Sequence, residues 1–236
     1  GFLNDIDSFP LCEADVIDAL ESASSGPVAE GNVGGGTGMI CYDFKGGIGT
    51  ASRRVEINQE AYTIGALVQA NHGDRHMLRI NGIAAGERID MTLVPGPSDR
   101  SLPDQQRVEP DVKSSSIIIL IATDAPLLPD QCRRLARRAA LGLARTGGVG
   151  FNSSGDIFLA FSTGNHYSPA AAEAIGLKML PQDLCDPLIE ATAEAVEEAI
   201  INALTAAETM TGWHGRTVHA LPLERVRQMI ASSRSS

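Results

Sequence analysis

The sequence has few positive charges, few aromatic residues and no long apolar stretch. Its 19 lysines and arginines are outnumbered by 29 aspartates and glutamates, and the net charge of −10 disfavours binding to nucleic acid or anionic lipid. The longest apolar run, residues 117–122, has the length of a strand and is far shorter than the roughly 20 residues of a membrane-spanning helix. We therefore expect a protein with no nucleic-acid and no membrane partner.

The usual signatures of metal, nucleotide and serine-hydrolase sites are also absent. No two cysteines form a CxxC pair, so we expect mostly buried thiols in a reducing compartment, the cytoplasm: Cys12, Cys41, Cys132 and Cys185. The glycines at 34–38 lack the Gly-Lys-Ser/Thr ending of a P-loop and favour tight turns over nucleotide binding. His72 and His76 lie four residues apart, but residues 71–74 read as a turn and no third ligand is evident. No Gly-x-Ser-x-Gly motif is present, and we expect no metal and no cofactor.

Length and composition fit a globular protein built from strands and alanine-rich helices. The 236 residues are 43% apolar, only 4% aromatic and include 24 glycines, which predicts close packing of backbone segments. Apolar periodicity predicts helices over 14–22, 129–144, 187–210 and 223–230, and strands over 39–44, 62–70, 116–123 and 156–162. The continuous apolar run at 117–122 predicts a strand buried on both faces, and residues 82–113 read as an exposed loop. This order of elements predicts a layered α/β or α+β domain.

A run of three serines, residues 114–116, joins this loop to the apolar strand. A serine hydroxyl is a weak nucleophile and needs a base. A serine at a chain terminus supplies its own base, because a free α-amine titrates at roughly 7.7–8. Such chemistry requires cleavage of the chain just before the serine, which a loop-to-strand boundary tolerates. The alternative interpretation is a polar loop that ends at a strand.

Six sequence blocks stand out, in order, along nearly the whole chain. They include GGGTGMICY, FKGGIGTASR, LVQANHG and SGDIFLAFST, and they lie at residues 34–42, 44–53, 67–73, 116–118 with 122–128, 134–147 and 154–163. Together these blocks resemble the L-aminopeptidase/D-esterase family, the group of the β-peptidyl aminopeptidases. Because the blocks occur together and in order, the resemblance is far more specific than any single glycine pattern.

This resemblance implies a fold and a cleavage site. The implied fold is an αββα sandwich that resembles the N-terminal nucleophile hydrolases with a different strand connectivity. The family is a self-cleaving one, and the matching cut lies between Ser115 and Ser116, which gives chains of residues 1–115 and 116–236 that form one domain together. The family more usually has Gly or Asn before the cut, and Ser115 preserves the small size that an N→O acyl shift needs.

The resemblance also implies the roles of individual residues. Ser116 would be the nucleophile, with its own new α-amine as the base. Asn71 matches the residue that donates to the oxyanion, an interaction worth about 3 kcal/mol. Ser154 and Asp156 match a serine and an acid beside the nucleophile, which orient the hydroxyl and the amine and help to move the proton. Without the resemblance, Asn71 and Ser154 could equally cap turns.

The implied function is the release of N-terminal amino acids from small peptides, amides or esters by a homo-oligomer of processed heterodimers. The chain begins at Gly1 rather than Met and lacks roughly the first third of the family's sequence, so we expect an incomplete or further processed chain. Two other functions stay open. One is an acyl transferase resembling ornithine acetyltransferase, a family that has threonine at the cut, and the other is an unprocessed, non-catalytic relative.

Overall fold

The computed structural model describes residues 1–97 and 116–233. Its strands are β1 (Ile40–Cys41), β2 (Phe44–Lys45), β3 (Gly47–Ile57), β4 (Glu60–Asn71), β5 (Ser116–Thr123), β6 (Ile157–Ser162), β7 (Met210–Thr211) and β8 (Thr217–Val218). Its α-helices are α1 (Glu13–Glu21), α2 (Ala85–Arg88), α3 (Pro129–Arg145), α4 (Asp186–Thr205) and α5 (Leu223–Ser233). A central sheet has the order β3-β4-β5-β6, while β1 pairs with β2 and β7 with β8.

The central sheet is mixed and carries a layer of two long helices. β3, β4 and β5 are antiparallel neighbours, whereas β5 and β6 are parallel and are joined through α3, as a parallel pair requires a crossover. α3 and α4 pack against each other and against the strands. Their inner faces are rich in alanine, including Ala139, Ala195 and Ala199, which allows the backbones to approach closely. The layered α/β prediction is confirmed, and the described residues provide one sheet and one helical layer of the αββα arrangement.

β5 is buried on one face rather than on both. Ile117, Ile119 and Ile121 are fully buried, whereas Ile118 is 36% exposed on the opposite face. The prediction of burial on both faces was wrong because an unbroken β-branched run carries no alternation from which a single buried face could be read. Side chains on the opposite face of β6 are exposed as well, namely Ile157, Leu159 and Phe161. By the alternation of a strand, Ser116 shares this open face with Ile118.

β3 is a strand that the sequence analysis did not predict. Its sequence begins with alternating glycines and contains two arginines, which conceals its strand periodicity. Gly49 explains the composition, because a Cβ there would lie 2.0 Å from the carbonyl oxygen of Ala199 in α4. The glycine therefore permits direct contact between the sheet and the helix backbone, in line with the close packing that the composition predicts.

Three other segments differ from their predicted structure. Residues 39–44 form the β1–β2 hairpin rather than one strand, because Tyr42 and Asp43 adopt positive φ values of 52° and 59° and turn the chain. Within the predicted loop, α2 forms and Ala85 and Ile89 are buried, while residues 98–113 lie outside the described part. α4 ends at Thr205, earlier than predicted. In the described ranges, no helix is long and apolar enough to cross a membrane.

Candidate active site

Ser116 and Asn71 lie opposite each other at one end of the central sheet. Ser116 is the first residue of β5, Asn71 is the last residue of β4, and the two are direct partners in the antiparallel register. Side chains of directly opposed residues lie on the same face of a sheet, so both point to the open face. Each is half-buried. The pairing therefore places a hydroxyl and a carboxamide side by side.

The loop before β6 supplies a backbone donor to the serine. The Gly155 N–H donates to Ser116 Oγ at 3.1 Å. The preceding turn is fixed by the Ser154 N–H, which donates to the carbonyl oxygen of Phe151 at 2.7 Å. A Cβ at residue 155 would lie 3.2 Å from Ser116 Oγ, so a side chain there would crowd the hydroxyl. A glycine between Ser154 and Asp156 thus leaves the hydroxyl accessible.

Asp156 joins this loop to the start of β5. Its Oδ1 accepts from Ser154 Oγ at 2.6 Å and from the Ile117 N–H at 3.1 Å. The carboxyl group is therefore held one residue from the backbone nitrogen of Ser116. A cationic amine formed at that nitrogen would have a carboxylate close by, and the same carboxylate accepts from the Ser154 hydroxyl.

The carboxamide of Asn71 is oriented by the backbone. Its Oδ1 accepts from the Ile40 N–H at 2.9 Å. Since the oxygen is engaged by a donor, the Nδ2 group is the end that is left to donate to a reacting group. This orientation suits the stabilisation of an oxyanion, which needs a hydrogen-bond donor.

His72 lies directly behind Asn71 in a buried polar cluster. Its Nε2 is 3.3 Å from the Tyr42 hydroxyl, which is 2.9 Å from Thr146 Oγ1, and its Nδ1 faces Cys41 Sγ at 3.8 Å. Burial lowers the pKa of His72 to about 3 and raises the pKa of Cys41 to about 12, so both are neutral at physiological pH. His76 is exposed, and within the described residues no three His, Cys, Asp or Glu side chains are grouped to hold a metal ion.

The neutrality of His72 makes an acid-sensitive contribution to stability. An unfolded chain protonates this histidine as the pH falls through about 6.5, whereas the folded chain does not until about 3, so the unfolded state binds more protons in between. Between pH 7.5 and pH 5, the wild type is expected to lose about 2 kcal/mol more of its free energy of unfolding than His72→Phe loses. Urea titrations at both pH values measure this, with the exposed His76→Phe as the control. Equal losses in wild type and His72→Phe would contradict the assignment.

The structure brings together four of the site residues named from the sequence: Ser116, Asn71, Ser154 and Asp156. Ser115 lies outside the described residues. The contributions that the sequence did not reveal are the N–H groups of Gly155, Ile117 and Ile40. Backbone donors leave no side-chain signature, and the glycine in Ser-Gly-Asp was the only local hint. The cysteines are free, and Cys12 differs from the other three in being exposed.

Comparison with known proteins finds relatives that match nearly the whole chain. A β-peptidyl aminopeptidase of Sphingosinicella microcystinivorans is 45% identical over 237 residues, which cover 99% of this chain and 59% of that protein. The solved structure of a Burkholderia sp. β-aminopeptidase superposes with a TM-score of 0.84 at 49% identity, over 98% of this chain and 62% of the other. The solved structure of the L-aminopeptidase D-Ala-esterase/amidase of Ochrobactrum anthropi superposes with a TM-score of 0.84 at 45% identity, over 98% of this chain and 60% of the other.

The fold and the relatives together define the class. The Ochrobactrum anthropi protein is described as a prototype of the serine aminopeptidases and a variant of the N-terminal nucleophile hydrolase fold, which is the layered α/β class found here. Residues 1–218 match the model of peptidase family S58. The chain belongs to peptidase family S58. It spans 59% of the length of the Sphingosinicella relative.

Proposed function

We propose that the protein is a self-processing aminopeptidase that also acts on amides and esters, with Ser116 as an N-terminal nucleophile. The observation that carries this proposal is the set of contacts around one hydroxyl. Ser116 Oγ accepts from the Gly155 N–H, its strand partner is Asn71, and Asp156 holds the adjacent Ile117 N–H. A nucleophile, an oxyanion donor and an acid are thus assembled at the start of a strand.

Processing is proposed to begin with an N→O acyl shift. Ser116 Oγ attacks the carbonyl carbon of Ser115 and the peptide C–N bond breaks. The acyl group passes to the oxygen, and the hydroxyl proton passes to the nitrogen, which becomes an amine. Water then hydrolyses the ester, which frees the hydroxyl and leaves a new carboxylate on Ser115. The product is a serine with a free α-amine next to its own hydroxyl.

The mature site is proposed to use this amine as the general base. The amine takes the proton of Ser116 Oγ as the oxygen attacks the scissile carbonyl, and Asn71 Nδ2 donates to the oxyanion. The proton then passes to the leaving amine, which departs and leaves an acyl-enzyme. Water resolves the ester by the reverse proton transfers. Asp156 stabilises the ammonium form, and Ser154 orients the carboxylate through its 2.6 Å hydrogen bond.

Residues 1–115 and 116–236 are proposed to stay together as one domain after cleavage. The support is the pairing of β4 with β5, which runs from Ile64 opposite Thr123 to Asn71 opposite Ser116 and joins strands from the two sides of the cut. Such a ladder and the core beneath it survive the loss of one peptide bond. We further propose a cytoplasmic homo-oligomer of these processed heterodimers, following the family resemblance and the free thiols.

The substrates are proposed to be small peptides, amides or esters that carry a free amino terminus. Three chromogenic probes test this: a β-amino acid p-nitroanilide, an L-α-amino acid p-nitroanilide and a D-alanine ester. We expect hydrolysis of at least one probe by the processed protein and none by Ser116→Ala. Transfer of the acyl group to an added amine without release to water would favour the acyl transferase instead. A folded, uncut protein that turns over no probe would favour the non-catalytic alternative.

A further inference from the structure

Lys45 is a buried ammonium group whose donors all go to the backbone. The residue is fully buried between the glycine-rich segment and the sheet. Its Nζ donates to the carbonyl oxygens of Gly36 at 2.8 Å, Met39 at 3.1 Å and Gly46 at 2.8 Å. An ammonium has three donors, and these three bonds use them all. The group therefore holds three backbone carbonyls around a positive charge, two of them before β1 and one after β2.

One of these three carbonyls belongs to the peptide group that orients Asn71. The Met39 carbonyl and the Ile40 N–H are two ends of the same planar peptide unit. The carbonyl end accepts from Lys45 Nζ, and the N–H end donates to Asn71 Oδ1 at 2.9 Å. The Gly46 N–H also donates to the Met39 carbonyl at 2.9 Å, which further fixes this plane. A continuous hydrogen-bonded path thus leads from the buried charge to the carboxamide.

We propose that Lys45 is a positioning residue for the reaction, which fixes and polarises the Met39–Ile40 peptide group so that Asn71 is presented to the oxyanion as a strong donor. The inference rests on the proposed function of the site. A cation on the carbonyl oxygen draws electron density away from the N–H, which strengthens its bond to Asn71 Oδ1. The same polarisation passes through the carboxamide to the Nδ2 hydrogens, which become stronger donors to the oxyanion.

Burial opposes the positive charge of Lys45. Burial lowers its pKa to about 8 from an ordinary value near 10.5. Between these values an unfolded chain binds more protons than the folded one, so the stability contribution rises with pH as the ammonium is lost. The fold thus retains at neutral pH a charge that costs free energy. A methionine would fill a similar space without that cost, although it would leave the three carbonyls without this donor.

A double-mutant cycle tests whether Lys45 acts through Asn71. The variants are Lys45→Met, Asn71→Ala and the double variant, each isolated in processed form and assayed for kcat and KM on the probe that the wild type hydrolyses best. We expect Lys45→Met to lower kcat by about tenfold or more with little change in KM. In the Asn71→Ala background the same substitution is expected to have little further effect. Equal kcat losses in both backgrounds would overturn the proposal and indicate a general structural role.

The matched control is Lys178→Met, the same substitution at a distant lysine in the segment before α4. It is expected to leave kcat unchanged in both backgrounds. If Lys45→Met does not fold, Lys45→Gln replaces it in the cycle, because the glutamine amide keeps N–H donors for the buried carbonyls while removing the positive charge. A kcat loss that is independent of Asn71 would again overturn the proposal.

A measurement without turnover separates this inference from the proposed function. If wild-type protein hydrolyses no probe, the proposed function fails, but the hydrogen-bonded path can still be observed by NMR. The Asn71 side-chain amide signals are expected to move in Lys45→Met, or in Lys45→Gln if Lys45→Met does not fold, and to stay in place in Lys178→Met. Unmoved Asn71 signals in the Lys45→Met or Lys45→Gln protein would overturn the role of Lys45 whatever the activity.

Discussion

Ser116→Ala is expected to give a folded, uncut chain whose hydrolytic rate is lower by at least about 10⁴-fold. The substitution removes the oxygen that attacks in both processing and catalysis, and without processing the α-amine base is never released. The fold is expected to persist, because β5 is held by its backbone ladder to β4 and β6 and by the buried Ile117, Ile119 and Ile121. A denaturing gel, a rate assay and a circular dichroism spectrum check the three parts of this expectation.

The serine run provides a matched control for this variant. Ser114→Ala removes a hydroxyl two residues earlier and is expected to leave cleavage and turnover intact. If Ser114→Ala were uncut while Ser116→Ala were processed and active, a different serine would be the nucleophile. That result would contradict the assignment to Ser116.

Asn71→Ala is expected to lower kcat by about 10²- to 10³-fold, with a much smaller effect on KM. The carboxamide donates to a negative charge that exists in the transition state and not in the ground state. Its loss therefore lowers kcat and has little effect on KM. The variant has to be obtained in processed form, since the cleavage reaction passes through an oxyanion as well. Steady-state kinetics on purified heterodimer measure the effect.

Gln69→Ala is the control for Asn71, because Gln69 lies two residues earlier on the same strand and the same face. It is expected to retain the wild-type kcat. A rise in KM in Asn71→Ala with kcat unchanged would contradict an oxyanion role. It would indicate that Asn71 contacts the substrate in its ground state.

The sequence predicted the layered class and the principal helices because their apolar patterns are strong. α3 follows from the spacing of Cys132, Leu135, Ala139 and Leu143, all of which are buried. β3 was missed because Gly49 is required by its close contact with the backbone of a helix that is distant in sequence, and not by any local strand pattern. The single buried face of β5 could not be read from six consecutive apolar side chains. In both cases the tertiary neighbour, rather than the local pattern, decides the structure.

The candidate site was found through family resemblance, since residue chemistry alone left several interpretations open. Ser116 by itself could have ended a polar loop, and Asn71 could have capped a turn. The structure adds what neither route provided: the N–H of Gly155 on the hydroxyl and the N–H of Ile40 on the carboxamide. These groups occur in every residue, so only their three-dimensional placement gives them a role.

The most direct test of the account is the intact mass of the purified protein combined with sequencing of its amino termini. The account predicts a cut between Ser115 and Ser116, hence a chain that begins Ser-Ile-Ile-Ile and co-purifies with the preceding segment. A single uncut chain in protein that hydrolyses the probes would contradict it, because Ser116 would then have no α-amine to act as its base.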